Sequence, residues 1–289
     1  MWASRNKFLE FRHVRCRLSF VAVLASAANS FSGTLDFIHY KQFLINAVLD
    51  RFRLAGLLLW EPQVTNNLNI KAWLGIVFLA IAMGLLLFVP AGTLHYWQAW
   101  AYLAVFFGAS LLITFYLMKK DPALLKRRLS GGPTAEKEKT QKIIMFFTTI
   151  GFIALLVVPA LDYRFMWSRV PLYMTIAGDL LTALGFYVIF LVYKENTFAF
   201  ATIQVARDQK VISTGPYAIV RHPMYAGGSL YLLGMPLALG SYWGLLVLAA
   251  MIPILMWRLF DEERFLFKNL PGYKEYCAQV RWRLIPGVF

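Results

Sequence analysis

Eleven consecutive residues, Gly215-Pro216-Tyr217-Ala218-Ile219-Val220-Arg221-His222-Pro223-Met224-Tyr225, bring together two prolines, two tyrosines, an arginine and one of the chain's four histidines. They stand at the mouth of a long apolar segment, where polar side chains are costly beside lipid unless they bind something. A second charged group, Arg258 and Asp261-Glu262-Glu263, follows the next apolar hairpin. Tyrosine faces can stack on a flat base or attract a cation. Arginine can fork a carboxylate or phosphate, and a glutamate can hold a cation or accept a proton. Cys16 and Cys277 stand near opposite ends and form no spaced pair, so neither a disulfide framework nor a metal site is expected.

Local rules say how the first group is presented. Gly215-Pro216 interrupts the preceding segment, and Pro216 suits the first position of a helical turn. His222 precedes Pro223, which disfavours helix at the histidine and pushes it towards extended geometry. Pro223 can then open the next helix, leaving Arg221 and His222 on a kinked loop. In the second group, Arg258 and Glu262 are four residues apart and share a helix face. Each residue also has a plainer reading. Interfacial tyrosines form aromatic belts, an interfacial arginine meets lipid phosphate, a histidine before proline makes a structural hydrogen bond, and acids on a helix can simply be solvated. The crowding of these types into eleven residues favours binding over coincidence.

The elements that must position these groups are membrane helices. Of the 289 residues 59% are hydrophobic and 15% charged, against about 45–50% and about 25% in soluble domains, and the mean hydropathy is +0.57. The apolar residues fall into six blocks, at 72–89, 99–118, 143–161, 172–192, 224–239 and 244–257. The first four have the roughly 17–25 residues a crossing needs. The last two are shorter and read as a tight hairpin joined by Gly240-Ser241-Tyr242-Trp243. The expected fold is therefore all-α, an integral membrane bundle of about six transmembrane helices. Glycines at 178, 185, 227, 228 and 234 would let helix backbones approach closely.

The net charge of +14 does not imply nucleic acid, because the basic residues sit in short loops between apolar blocks. The loop after the second block holds Lys119, Lys120, Lys126, Arg127, Arg128, Lys137, Lys139 and Lys142 against Asp121, Glu136 and Glu138. Positive-inside bias puts it in the cytoplasm. The linker 193–223 and the tail 258–289 then fall on the same side, so both polar groups meet at the inner face of a multi-pass protein, expected in the plasma membrane. Three regions follow: an amino-terminal extension, 1–70; four helices with a basic loop, 71–192; and a catalytic region, 193–289. The extension contains Lys7, Arg12, Arg15 and Arg17 before an apolar run, 18–28, ending in Ala25-Ser26-Ala27, which looks like a secretory leader. Cleavage there would turn the basic loop outward, so the charge pattern favours a cytoplasmic extension with an interfacial helix around 37–59. Gly131-Gly132-Pro133 marks a turn within the basic loop.

The run from Gly215 to Tyr225, the Glu262-Glu263 pair, Tyr273 and Tyr276, and Arg283-Leu284-Ile285-Pro286 together resemble the isoprenylcysteine carboxyl methyltransferase family and the related phospholipid N-methyltransferases. The resemblance covers residues 175–289. It implies a membrane-embedded enzyme using S-adenosylmethionine without a Rossmann-like domain, in keeping with the lack of a glycine-rich strand-to-helix fingerprint. It further implies a cofactor pocket formed by Tyr217, His222, Pro223 and Tyr225, backbone around Gly215 and Pro216, the acids Glu262 and Glu263, and Gln204 from the linker.

The acceptor stays open at this level. A carboxylate needs no general base and would favour arginine partners, for which Arg258 and Arg221 are candidates. An amine must lose its proton, which Glu262 or Glu263 could take. A thiol arriving as thiolate needs neither. An isoprenylcysteine-type carboxylate is favoured, with a phospholipid, amine or thiol acceptor as the alternative. A haem protein using His222, with His95 less suited, or a non-enzymatic lipid-binding protein are the readings from other classes.

Overall fold

Among the described residues, apolar stretches flanked by helix-breaking residues fold as predicted, into helices. The computed structural model describes residues 68–130, 138–199, 202–203, 205 and 209–289. The leader-like run, the helix expected around 37–59, Cys16, the Gly131-Gly132-Pro133 turn and Gln204 lie outside the described residues. The described helices belong to one compact unit, Asn67–Phe289. In chain order they are α1 (Leu68–Ala91), α2 (Trp97–Lys120), α3 (Pro122–Leu129), α4 (Lys139–Phe165), α5 (Leu172–Glu195), α6 (Pro223–Ala238), α7 (Trp243–Asn269) and α8 (Tyr273–Gln279), with a 3₁₀ turn at Gly215–Ala218.

Among the described residues, α1, α2, α4, α5 and α7 are long and apolar enough to cross a membrane. Their outward faces carry Phe78, Leu112, Leu180 and Leu246, each more than half exposed, as suits a lipid-facing surface. The chain is a multi-pass integral membrane protein. The short helix α6, with 16 residues, completes the six-segment pattern. The last apolar block runs on as helix through the charged group, as its spacing predicts. It belongs to a 27-residue helix, α7, that carries Arg258, Glu262 and Glu263 onward. Residues 258–269 contain no helix breaker, and the first stop is Pro271-Gly272, with Gly272 at φ +83°.

The glycines do what close packing requires of them. Helices α5 and α6 run antiparallel in contact, and a Cβ on Gly178 would stand 2.2 Å from the Ala238 amide nitrogen. A Cβ on Gly185 would stand 2.6 Å from the Gly227 carbonyl, and one on Gly234 2.5 Å from the Gly178 carbonyl. One pair of glycines spaced seven apart on each helix thus makes one seam, the small-residue packing used between membrane helices. Gly228 faces open space and takes no part.

The two ends of the bundle are tied differently. At the end away from the basic loop, buried Asp162 accepts from the Ser168 amide (2.6 Å) and from the hydroxyls of Ser168 and Ser241. The Tyr96 hydroxyl donates to the Leu239 carbonyl. These bonds join the α4–α5 and α6–α7 connections, so the polar groups in both turns are satisfied. At the other end Asp121 caps α3, its Oδ1 accepting from the Leu124 amide at 2.9 Å with Pro122 in the first turn. Leu124 and Leu125 bury the inner face of α3, while Arg127 donates to the Thr197 carbonyl and lies 5.0 Å over the Phe198 ring. The basic loop is thereby fastened to the linker that follows α5.

Candidate functional site

The 3₁₀ turn begins at Gly215, whose φ of +56° favours glycine, and whose Cβ would press on Glu195 Oε2 at 3.0 Å. That turn projects Tyr217 inwards. Asn196 Nδ2 donates to the Tyr217 hydroxyl at 2.8 Å, and the Tyr276 hydroxyl donates to the Tyr217 carbonyl at 2.7 Å. His222 holds extended geometry at φ −123° and Pro223 opens α6, as the proline rule requires. From the other side α7 brings Glu262, whose Oε2 accepts from the Tyr225 hydroxyl at 2.6 Å. Arg258 stands beside this pair, close enough to Tyr225 to interact with its hydroxyl. It also donates to Gln141 Oε1 at 3.0 Å, and Gln141 in turn donates to Asp261. Helices α4, α6 and α7 are thus linked at one end of the bundle.

Between these groups lies a cavity of about 270 Å³, close to the lower end of small-molecule sites, about 300–1,000 Å³. Its walls include Tyr217, Arg221, His222, Pro223, Tyr225, Arg258 and Glu262. Seven of the predicted site residues are therefore brought to one space. Three are not. Gly215 and Pro216 shape the turn without lining the cavity. Glu263, expected in the pocket, points away from it. It is buried in a cage, with Oε1 3.0 Å from Arg221 Nη1 and 3.4 Å from His222 Nε2, and Oε2 2.9 Å from Arg283 Nε. One residue of helix separates Glu262 from Glu263, about 100° of rotation, so adjacent acids cannot share a wall.

The cage straps the tail to the kinked loop. The Arg221 and His222 amides donate to the Trp282 and Arg283 carbonyls at 2.8 and 2.9 Å, and Arg221 Nη2 reaches the Arg281 carbonyl at 3.2 Å. Tyr273 and Tyr276, both buried, complete the cavity wall from α8. Burial pushes the Tyr217 phenol up to about 12, the Asn196 hydrogen bond opposing and nearby Glu262 reinforcing the rise. Tyr273 and Tyr276 are likewise raised, mainly by burial. All three stay neutral at ordinary pH and serve as rings and hydrogen-bonding hydroxyls.

Sequence reasoning missed Arg128, Asn196 and the wall position of Tyr273 and Tyr276. Arg128 lines the cavity with its guanidinium 5.3 Å over the Tyr193 ring. Nothing in the sequence separated it from its basic neighbours except the Asp121-Pro122 cap that predicts a helix there. The two histidines considered for haem lie at opposite ends of the bundle. His222 faces Glu263, whereas the His95 carbonyl accepts from Tyr163 at the far end. Among the described residues no three His, Cys, Asp or Glu side chains are placed to hold a metal ion.

Residues 173–271 match the family model of phospholipid methyltransferases. The matched segment spans α5, the linker, α6 and α7, and holds every predicted site residue. It leaves Arg128, Tyr273, Tyr276 and Arg283 outside. The resemblance to membrane-embedded methyltransferases is shown over that segment. No curated protein matches the chain.

Proposed function

We propose that this membrane protein binds S-adenosylmethionine in the cavity between Tyr217, Tyr225 and Glu262 and transfers its methyl group to a lipophilic or small acceptor, a carboxylate being favoured, at the inner membrane face. The observation that carries the reading is the joining of a carboxylate, two half-buried tyrosines and Arg258 around one cavity inside a methyltransferase segment. The donor set fits the cofactor. Glu262 and the aromatic rings suit cationic sulfonium and ammonium groups, an arginine suits the carboxylate, and Tyr217 or Tyr225 suits the flat base. The chemistry supplied on binding is an electrophilic methyl carried on sulfur.

The residues' share is orientation and exclusion of water. Tyr225 fixes the Glu262 carboxylate through a short hydrogen bond, so its negative charge is pointed before binding and needs no reorganisation. Arg258, steadied by Gln141, offers a planar fork to an acceptor carboxylate without any base. The strap from Arg221 and His222 to residues 282–283 holds the kinked loop that carries two wall residues, and burial behind Tyr273 and Tyr276 keeps water away. Positive-inside bias puts this end in the cytoplasm, in the plasma membrane on our reading, with acceptors arriving from the bilayer.

The test is transfer of a labelled methyl group from S-adenosylmethionine by the purified protein, offered a prenylated cysteine carboxylate and a phospholipid amine in parallel. The carboxylate should be methylated. Arg258→Ala should lower turnover more than the affinity for S-adenosylhomocysteine. Methylation of the amine alone would overturn the favoured acceptor, and equal loss of turnover and affinity would place Arg258 in the cofactor site.

A further inference from the structure

The six apolar blocks hold a single charged side chain, Asp179. It is the eighth residue of α5, about 10 Å along the axis from the helix start. The exposed rings of Trp97, Trp100, Trp167 and Trp243 form an aromatic belt at that end of the bundle. The carboxyl therefore lies beneath the interface, at the end away from Glu262 and the cavity. An acid at such depth is rare in a membrane helix and marks a functional site with a partner to be named. The methyl-transfer reading makes no use of it.

What gathers around Asp179 is oxygen. Its Oδ1 is buried and accepts no hydrogen bond. On α2 the Tyr102 hydroxyl is fully buried and makes no well-formed hydrogen bond, although Asp179 and Tyr231 of α6 both lie within electrostatic reach of it. One turn earlier on α2, the buried Oε1 of Gln98 is also without a donor. Three helices thus bring a carboxylate and two phenols together without closing hydrogen bonds between them. Buried polar groups are paired, and a buried charge is paired or holds a metal. Yet α2 from Trp97 to Met118, α5 from Leu172 to Tyr193 and the whole of α6 contain no lysine, arginine or histidine. The offsetting charge must come from outside the three helices. One carboxylate balances one positive charge, which selects a monovalent ion, and carboxylate, phenol and amide oxygens are hard donors that suit such an ion.

We infer that Asp179, Tyr102 and Tyr231 form a second site, which binds one monovalent alkali cation and so ties α2, α5 and α6 together beneath the aromatic belt. This stands apart from the methyl-transfer reading and does not need it. The test melts the full-length protein in a neutral detergent across a sodium chloride series, with choline chloride holding ionic strength constant at fixed pH. Sodium should raise the melting temperature saturably, whereas choline, whose methyl groups shield its charge from oxygen ligands, should not. Asp179→Asn should weaken the apparent sodium affinity at least about a hundredfold, and Tyr102→Phe at least about tenfold. Glu262→Gln, at the opposite end, should keep the parent's sodium midpoint within about twofold. Should Asp179→Asn fail to fold, the parent's contrast between sodium and choline and the Tyr102→Phe shift still decide. The inference is overturned if sodium and choline act alike on the parent, or if either site variant keeps the parent's midpoint. Stabilisation by acid with no response to sodium would assign a proton to the carboxyl and overturn it too.

Discussion

Replacing Glu263 by glutamine should loosen the strap between the tail and the kinked loop without removing any cavity-lining group. Glu263 is 5% exposed and faces Arg221, His222 and Arg283 at 3.0, 3.4 and 2.9 Å. Glutamine keeps the shape but strands Arg221, whose side chain is 8% exposed. Removing one partner of a buried ion pair costs about 3–5 kcal/mol. The Arg283 side chain, 32% exposed, regains water easily, so the lower end, about 3 kcal/mol, applies. Every 1.4 kcal/mol is tenfold, so the opening equilibrium should shift by roughly a hundredfold. The reporters are the Arg221 and His222 amides, which donate to the Trp282 and Arg283 carbonyls. Hydrogen–deuterium exchange at these two amides should quicken by about that factor, since exchange reads local opening. Glu262→Gln should leave it unchanged while weakening S-adenosylhomocysteine. The reasoning fails if Glu263→Gln exchanges at the parent rate yet loses cofactor affinity, for then Glu263 would be a direct ligand.

Other perturbations test the seam, the cavity and the phenols. Gly185→Ala places a methyl 2.6 Å from the Gly227 carbonyl and should cost about 1–3 kcal/mol by overpacking; a clear fall in melting temperature in detergent is expected, whereas Gly228→Ala, facing open space, should melt like the parent. Tyr225→Phe removes the 2.6 Å bond that aims Glu262, and at about 1.5 kcal/mol for a charge-assisted bond S-adenosylhomocysteine affinity should drop by about tenfold in calorimetry. The Tyr217 phenol is raised from 10.0 to about 12 in the folded protein, so its contribution is complete below pH 10 and is lost as pH climbs towards 12. Ligand affinity should accordingly be insensitive to Tyr217 between neutrality and pH 9, with tyrosinate absorbance from this residue emerging only above pH 10; emergence below pH 10 would show that it is not buried as described.

The division between what the sequence disclosed and what it withheld follows the range of the forces involved. Apolar length sets helices locally, so the blocks at 72–89 to 172–192 were legible, and so was the role of His222-Pro223, which is steric and spans two residues. The glycine seam was legible because small residues seven apart on two neighbouring helices have one common use, although Gly228 shows that spacing alone cannot say which way a glycine faces. The continuation of α7 beyond Trp257 was legible too, since Arg258 and Glu262 stand four apart and no helix breaker precedes Pro271-Gly272. Which acid lines the cavity depends on the rotation of α7 against α6, a tertiary quantity. That rotation sends Glu262 inwards and Glu263 to Arg221 and Arg283. Arg128 was hidden for the same reason, since a basic loop near a membrane reads as an orientation signal until its helix is docked.

Calorimetric titration of S-adenosylhomocysteine into the detergent-purified parent, with His222→Ala and Glu262→Ala alongside, tests the central claim most directly. Micromolar binding by the parent, weakened in both variants while their folding is kept, is the result this account predicts. A well-folded parent that takes up no ligand would contradict it.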